Sequence, residues 1–353
     1  MVKSLSEHVK SALAYETIRS LSEKRSLNFT ETCFLYGSII IWGDNSEIET
    51  AMMLETKRKP YEMEWPTLAL LTICYAGWML ATTWMASFWL PPAMLTATLL
   101  ITLHSSLTHE ALHGHPFRSG LLNEACVFPC LGLAIPYRRF RDTHLAHHHD
   151  PVLTDPYDDP ETNFLDPNVW ILLPNWFKCV LRFNNTLLGR LILGPAFSLW
   201  ALARDDIKAV RRKNSSVILA WALQVIGVVP VIFWIYWSAM PFWAYLICAY
   251  AGFSILKIRT FLEHRAHERA SGRTVIIDDR GPLSILFLKN NLHAVHHMHP
   301  RVAWYRLPGM WRENREKYLR RNDSYYYRSY WEVFRKYLFK AKDPVPHPLW
   351  PVE

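Results

Sequence analysis

The chain has 353 residues, half of them apolar, a formal net charge of +8 and six cysteines. Cys33, Cys74, Cys126, Cys130, Cys179 and Cys248 include no C-x-x-C pair, which argues against a disulfide framework or zinc ribbon and for reduced, cytoplasm-facing protein. The basic balance admits nucleic acid or an anionic membrane surface as a partner, and the placement of the charges decides between them.

Residues 1–60 read as a cytoplasmic N-terminal extension of unclear role, polar at first, with a short apolar patch and then Lys57-Arg58-Lys59. The patch is too short and too late for a secretory signal. From Trp65 the character changes. Residues 65–88 and 93–108 are apolar and are separated by Pro91-Pro92; residues 217–237 and 242–261 are apolar again, with Pro241 at the turn. About 20 helical residues cross the ~30 Å hydrocarbon layer. Lysine or arginine at mid-membrane costs about 2.5–3.5 kcal/mol. Neither occurs from Pro60 to Phe117 or from Asn214 to Leu256. The abundant Trp, Tyr and Phe suit the water–lipid boundary.

The two turns, near Pro91 and Pro241, carry no Lys or Arg, so all the basic residues fall on the opposite side. Basic loops stay cytoplasmic. The fold expected is therefore an all-α integral membrane protein. It has four transmembrane helices in two hairpins, with a cytoplasmic helical cap and both termini cytoplasmic. The membrane surface accounts for the charge and nucleic acid is not needed. The apolar stretches 126–135 and 187–203 are expected along the interface. A charged, aromatic segment, residues 307–353, reads as a cytoplasmic tail with helices around 311–321 and 330–340.

Fourteen of the sixteen histidines cluster; His8 and His347 stand alone. His109 and His113 are four apart. His144, His147 and His148 repeat at three and four, as do His293, His296 and His297. On a helix each set shares one face, and imidazole suits iron, zinc, copper or nickel. The first set begins where the second apolar helix ends, and His264 follows the fourth, so all can converge at one membrane edge. For His104, His115, His149, His267 and His299 structural or supporting roles are expected.

Here the chain resembles a family. His109–His113, His144–His148 and His293–His297 look like the three histidine boxes of membrane fatty-acid desaturases and related hydroxylases. Asn291-Leu292-His293-Ala294-Val295-His296-His297 is similar to the third box and Thr143-His144-Leu145-Ala146-His147-His148 to the second. Glu263-His264 resembles the isolated ligand after the last membrane helix. The resemblance covers roughly residues 65–306. It implies a di-iron site ligated by His109, His113, His144, His147, His148, His264, His293, His296 and His297, with O2 as co-substrate and an acyl lipid as substrate. The first box has three residues between its histidines where several desaturases have four. Both spacings occur in the superfamily, so desaturation and hydroxylation both stay open.

Ligating histidines usually pass their second N–H to a carboxylate or carbonyl. The candidates are Asp142, Asp150, Asp155, Asp158, Asp159, Glu161 and Glu263, although the run 155–161 also reads as a solvated, proline-braced loop. Glu110-x-x-His113 matches half of a soluble di-iron motif, and a single copy reads as coincidence. Asn290 or Asn291 is expected to cap the helix bearing His293, with orientation of a water on the metal as the other option. Arg138, Arg139 and Arg141 are membrane anchors or head-group ligands. Neither a fused cytochrome nor a nucleotide fingerprint is found, which points to a separate electron donor of ferredoxin, rubredoxin or cytochrome b5 type.

Three functions fit the sequence. The first is an O2-dependent fatty acid (acyl lipid) desaturase. The second is a hydroxylase or ketolase acting on an alkyl, sterol or carotenoid substrate. The third is a non-enzymatic, His-rich metal-binding membrane protein.

Overall fold

The computed structural model describes residues 63–148 and 152–351. The N-terminal extension, with His8 and Cys33, and also His149 and Asp150, lies outside the described residues. The rest is mostly helical, and the two strands, β1 (Ile276–Ile277) and β2 (Tyr326–Tyr327), form one short parallel pair.

The apolar runs become helices with definite starts. Pro66 stands in the first turn of α1 (Trp65–Phe88), which holds one π-helical turn at Ala81–Met85. Proline lacks only an N–H that has no partner there anyway. After Trp89 the chain turns into α2 (Leu90–Leu112), again with proline in its first turn. Short helices α3 (Gly120–Val127) and α4 (Tyr137–His147) follow, then α5 (Pro167–Leu172) and α6 (Asn175–Asn184). Thr186 caps α7 (Leu187–Arg211) through its hydroxyl on Gly189 N, and Asn214 caps α8 (Ser215–Trp237) on Ser216 N and Val217 N. The last long helix is α9 (Phe242–Thr260). Among the described residues α1, α2, α7 and α8 are long and apolar enough to cross a membrane. The 19-residue α9, expected as a span, carries Lys257 and Arg259 in its last turn.

Contacts fix how these helices lie. Glu64 N donates to Pro116 O at 3.0 Å and Cys74 Sγ meets Leu100 O at 3.3 Å, so α1 and α2 are antiparallel. Cys248 Sγ approaches Met94 O at 3.4 Å and Thr102 Oγ1 approaches Gly252 O at 3.3 Å, so α2 and α9 run side by side in one direction. Gly252 makes that closeness possible: a Cβ there would sit 2.9 Å from Ile101 Cγ2. Trp234 Nε1 donates to Thr82 Oγ1 at 3.0 Å and Met240 N to Thr82 O at 3.0 Å, tying the α8–α9 turn to the far end of α1. The core between them includes Leu71, Trp78, Ile101, Leu107, Val231 and Tyr245. Tyr245 is fully buried and donates to Leu131 O at 2.7 Å. Leaving such a hydroxyl unpaired costs about 1–3 kcal/mol.

Helix α7 has both ends at one level. Leu187 packs with Ile258, Phe261 and Leu262 at the exit of α9. Near its other end Asp206 accepts from Arg139 of α4 at 2.8 Å and from Trp221, early in α8, at 2.8 Å.

Beyond α9 the chain builds a cap from β1, α10 (Pro282–Leu286), α11 (His293–Met298), α12 (Leu307–Glu313), α13 (Arg315–Arg321), β2 and α14 (Tyr330–Tyr337). Residues after 306, expected as a tail, are packed into this cap. Tyr330, Val333 and Tyr337 share a core with Phe261 and Val275, and Leu307, Trp311 and Tyr318 share one with Val295. His347 is buried too, with its ring against Phe164 and Nε2 3.2 Å from Thr154 Oγ1.

Candidate metal centre

Four pieces of chain deliver the histidines. The end of α2 supplies His109 and His113, α4 and its C-cap supply His144, His147 and His148, the exit of α9 supplies His264, and α11 supplies His293, His296 and His297. Because α2 and α9 are parallel neighbours, His109, His113 and His264 emerge at the same level. The helical spacings of three and four then turn each set inward.

The nine side chains form two groups. His109, His113, His144, His148 and His296 make one, and His147, His264, His293 and His297 the other; within each, the ligand atoms lie within 4.8 Å of one another. Either group can hold a metal ion. Between nitrogens the approaches are close. His109 Nε2 and His148 Nε2 are each 3.0 Å from His144 Nε2, and His264 Nε2 lies 2.8 Å from His147 Nε2 and 3.2 Å from His293 Nε2.

The outward nitrogens are held by protein. Glu161 accepts from His144 Nδ1 at 3.0 Å, Asp159 from His147 Nδ1 at 2.7 Å and Asn290 Oδ1 from His293 Nδ1 at 2.9 Å. Thr274 Oγ1 is 3.4 Å from His264 Nδ1. With the proton on Nδ1, Nε2 is left as a lone pair. His147 and His293 therefore aim two lone pairs at His264 Nε2, more than one proton can satisfy. Bonds of about 2.0–2.1 Å meeting at right angles hold neighbouring nitrogens about 3 Å apart, so a cation shared between them suits these distances. His113 Nε2 and His296 Nε2 are buried without a hydrogen-bond partner, as ligand nitrogens of a metal would be. The donor set fits a pair of imidazole-bound metals.

Electrostatics point the same way. Burial, and then neighbouring imidazoles, hold His113, His148, His264, His293 and His296 well below the ordinary histidine range. These rings are neutral and available as ligands. At His147 burial acts in the same sense, but Glu161 and Asp159 outweigh it and raise the group to about 9. Glu161 is itself drawn below the carboxylate range: burial opposes this, and His144 and His147 prevail. The two carboxylates favour positive charge at that point, proton or metal.

Of the other acidic residues expected near the site, Glu263 lies 3.8 Å from His293 Nδ1 and 3.1 Å from Arg259 Nε. Asp142 pairs with Arg141 at 2.8 Å, and Asp155 accepts from Tyr157 N and Asp158 N while Asp158 stays exposed. The loop is thus partly a turn and partly a wall of the site. The capping role expected of an asparagine is not found: Leu292 holds the cap position, Asn290 grips His293, and Asn291 donates to Ile277 O at 2.6 Å. Glu110, set aside as coincidence, is buried; its Oε2 accepts from Trp304 N at 3.2 Å and its Oε1 lies 3.6 Å from His109 Nδ1. Arg138 and Arg139 pair with Glu124 and Asp206, each at 2.7 Å. His104 meets Tyr75, His115 lies 2.8 Å from Glu64, His267 lies 3.2 Å from Asp323, and His299 stacks edge-on with Tyr318.

A cavity with Thr108, Phe128, Phe140, Leu223 and Phe253 in its wall approaches the first group. The Phe140 ring separates the two, 5.5 Å from His144 and 6.5 Å from His109 between centroids. No spacing rule marks Phe140, Thr274 or Trp304, which reach the site only through the fold.

Comparison with known families gives one finding. The family model described as fatty acid desaturase matches residues 87–329, well over half of the chain and inclusive of all nine histidines. Among curated proteins none matches the chain.

Proposed function

The chain belongs to the fatty acid desaturase family, and on that premise we propose that it is a membrane-bound, O2-dependent di-iron enzyme that introduces a double bond into an acyl chain. The observation that carries this reading is the convergence of nine histidines into groups of five and four. In this reading each group holds one iron. Bound there, the irons supply the activation of O2 needed to remove hydrogen from an unactivated C–H bond.

The remaining work belongs to the protein. Asp159, Glu161 and Asn290 accept the outward N–H groups and so aim the inward nitrogens at the centre. Phe140 closes the apolar cavity against His109 and His144, which excludes water and sets how near a substrate carbon can come. The apolar wall of that cavity supports an acyl substrate. A separate electron donor of ferredoxin, rubredoxin or cytochrome b5 type completes the proposal.

For the membrane arrangement we read α1, α2, α8 and α9 as the four crossings, in two hairpins. Helix α9 lies alongside α2 and in the same direction, so a bilayer crossed by one is crossed by the other. Helix α7 is long and apolar enough to cross, yet both of its ends are tied to the histidine-bearing level. It suits a course along the interface. The basic residues then gather on the histidine side, as a cytoplasmic face requires.

The test is lipid profiling by mass spectrometry of a host that makes the protein, beside one that makes His147→Ala at the same level. New unsaturated acyl chains with the parent alone are expected. Hydroxylated or ketonic products instead would replace desaturation with a hydroxylase or ketolase reaction at the same centre.

A further inference from the structure

A second lipid-facing feature lies on the opposite side of α9 from the catalytic cavity. The catalytic side of α9 presents Gly252 to α2 and Phe253 to the cavity. On the other side Ile247, Tyr250, Ala251 and Ser254 join Leu191 and Ile192 of α7 in an apolar groove of about 530 Å³. The Tyr250 hydroxyl donates to Ile192 O at 2.5 Å and ties the two helices together.

One helical turn beyond Ser254 of the groove wall, toward the histidine level, Lys257 meets the stem of Arg190, and both cations have neutral contacts. Several cations around this level have a carboxylate: Arg138 has Glu124, Arg139 has Asp206, Arg259 has Glu263 and Lys342 has Asp343. Lys257 Nζ instead meets the Ser198 hydroxyl at 2.6 Å. Arg190, only 6% exposed, donates to Asn163 Oδ1, to Asn184 O at 3.1 Å and to Asn185 Oδ1 at 3.3 Å. All of these partners are neutral. The two stems are brought together at Gly194, where a Cβ would fall 2.9 Å from Arg190 Cδ and 3.2 Å from Lys257 Cγ. Glu161 and Glu263 act on Lys257 only from beyond ion-pair distance, and positive charge with no carboxylate in direct contact near the head of an apolar groove suits an anion with a hydrocarbon tail.

The dimensions agree. From Leu246 to Lys257 the helix rises about 16 Å, close to half of the ~30 Å hydrocarbon thickness. That is the reach of one leaflet.

We propose that the α7–α9 groove binds one anionic phospholipid of the histidine-side leaflet, its phosphate on Lys257 and Ser198 and one acyl chain along Tyr250 and Ile247. Arg190 adds to the field from beneath. Since the groove faces away from the cavity at Phe140, this lipid is a structural partner that seats α7 on α9 and is not the substrate. The inference rests on the proposed crossing of the membrane by α9, not on the reaction at the histidines.

The full-length protein in detergent is titrated with phosphatidylglycerol or phosphatidylcholine of identical chains, and bound lipid is counted by native mass spectrometry. One phosphatidylglycerol per chain is expected, held about fivefold more tightly than phosphatidylcholine, the worth of one lysine at a lipid surface. Lys257→Gln is expected to erase the preference and Lys257→Arg to keep it. Ala251→Trp, which fills the groove, is expected to weaken both lipids alike. Equal retention of the two lipids by the parent overturns the proposal, as does a preference that survives Lys257→Gln. Should Lys257→Gln fail to fold, loss of the preference in Lys257→Arg, or undiminished binding by Ala251→Trp, overturns it instead. Iron measured on the same samples separates the two readings: an iron-free parent that still prefers phosphatidylglycerol would sink the di-iron reading and leave this site standing.

Discussion

The five-histidine group draws its rings from α2, α4 and α11, and three of its members have a buried ring nitrogen without a hydrogen-bond partner. In the four-histidine group, which takes His264 from the exit of α9, outward nitrogens are gripped instead: His147 by Asp159 at 2.7 Å and His293 by Asn290 at 2.9 Å. One group depends mainly on the number of rings and on helices that fix their spacing, with His144 alone held by a loop carboxylate, Glu161 at 3.0 Å. The other has fewer rings and relies on loop residues to hold them. Equal substitutions in the two groups should therefore have unequal consequences.

The largest difference is expected between His147→Ala and His148→Ala. Removing His147 takes one of four rings and one bond from Asp159; removing His148 takes one of five and leaves every carboxylate with its histidine. Iron per chain, measured by elemental analysis of purified protein, should fall by about one in His147→Ala. In His148→Ala it should stay closer to the parent. Equal losses would mean that the division into groups does not describe the bound metals.

Next in size is Asp159→Asn. The side chain holds His147 and also accepts from Thr154 N at 2.8 Å and Glu161 N at 2.9 Å, so one change loosens a ligand and the loop beneath it. A loss of about 10–100-fold in metal affinity or turnover is expected, read as faster iron loss to a chelator. Glu161→Gln should cost less, because Glu161 serves the better-populated group and its side chain is 28% exposed. The reverse order would show that the five-histidine group is the fragile one.

Asn290→Ala should come third, at about tenfold in iron retention, with Asn290→Asp restoring most of it because a carboxylate oxygen also accepts from His293 Nδ1. This residue marks where the sequence stops being readable. The histidines were legible because helical spacing of three and four is a local property, and so were the apolar helices that bring His109 and His264 to one level. Asp159 and Glu161 were legible only as two of seven candidates, since nothing in a run of acids and prolines tells which side chain turns inward. Asn before a helix usually caps it, so Asn290 or Asn291 is the expected cap; the backbone places Leu292 there instead. The segment after residue 306 looked like a tail because its charges dominate its composition, while its buried Trp311, Tyr318, Tyr330 and Val333 find partners only through β1, α11 and the exit of α9. Likewise, Leu172 is 84% and Trp176 69% exposed on α5 and α6, an apolar surface whose placement depends on α7.

The smallest effect is expected at Glu110, and its smallness is informative. At 3.6 Å from His109 Nδ1, Glu110 Oε1 is too distant for a good hydrogen bond, whereas Oε2 accepts firmly from Trp304 N. Glu110→Gln keeps an acceptor for Trp304 and changes only the long contact, so turnover and iron content should stay within about threefold of the parent. Glu110→Ala removes the acceptor and leaves the Trp304 N–H without it. That change should lower the melting temperature, by the equivalent of about 1–3 kcal/mol, while iron per chain at low temperature stays near the parent's. If Glu110→Gln instead lost iron as Asp159→Asn is expected to, the outer support of the five-histidine group would be as strong as that of the four, and the contrast between number and grip would fail.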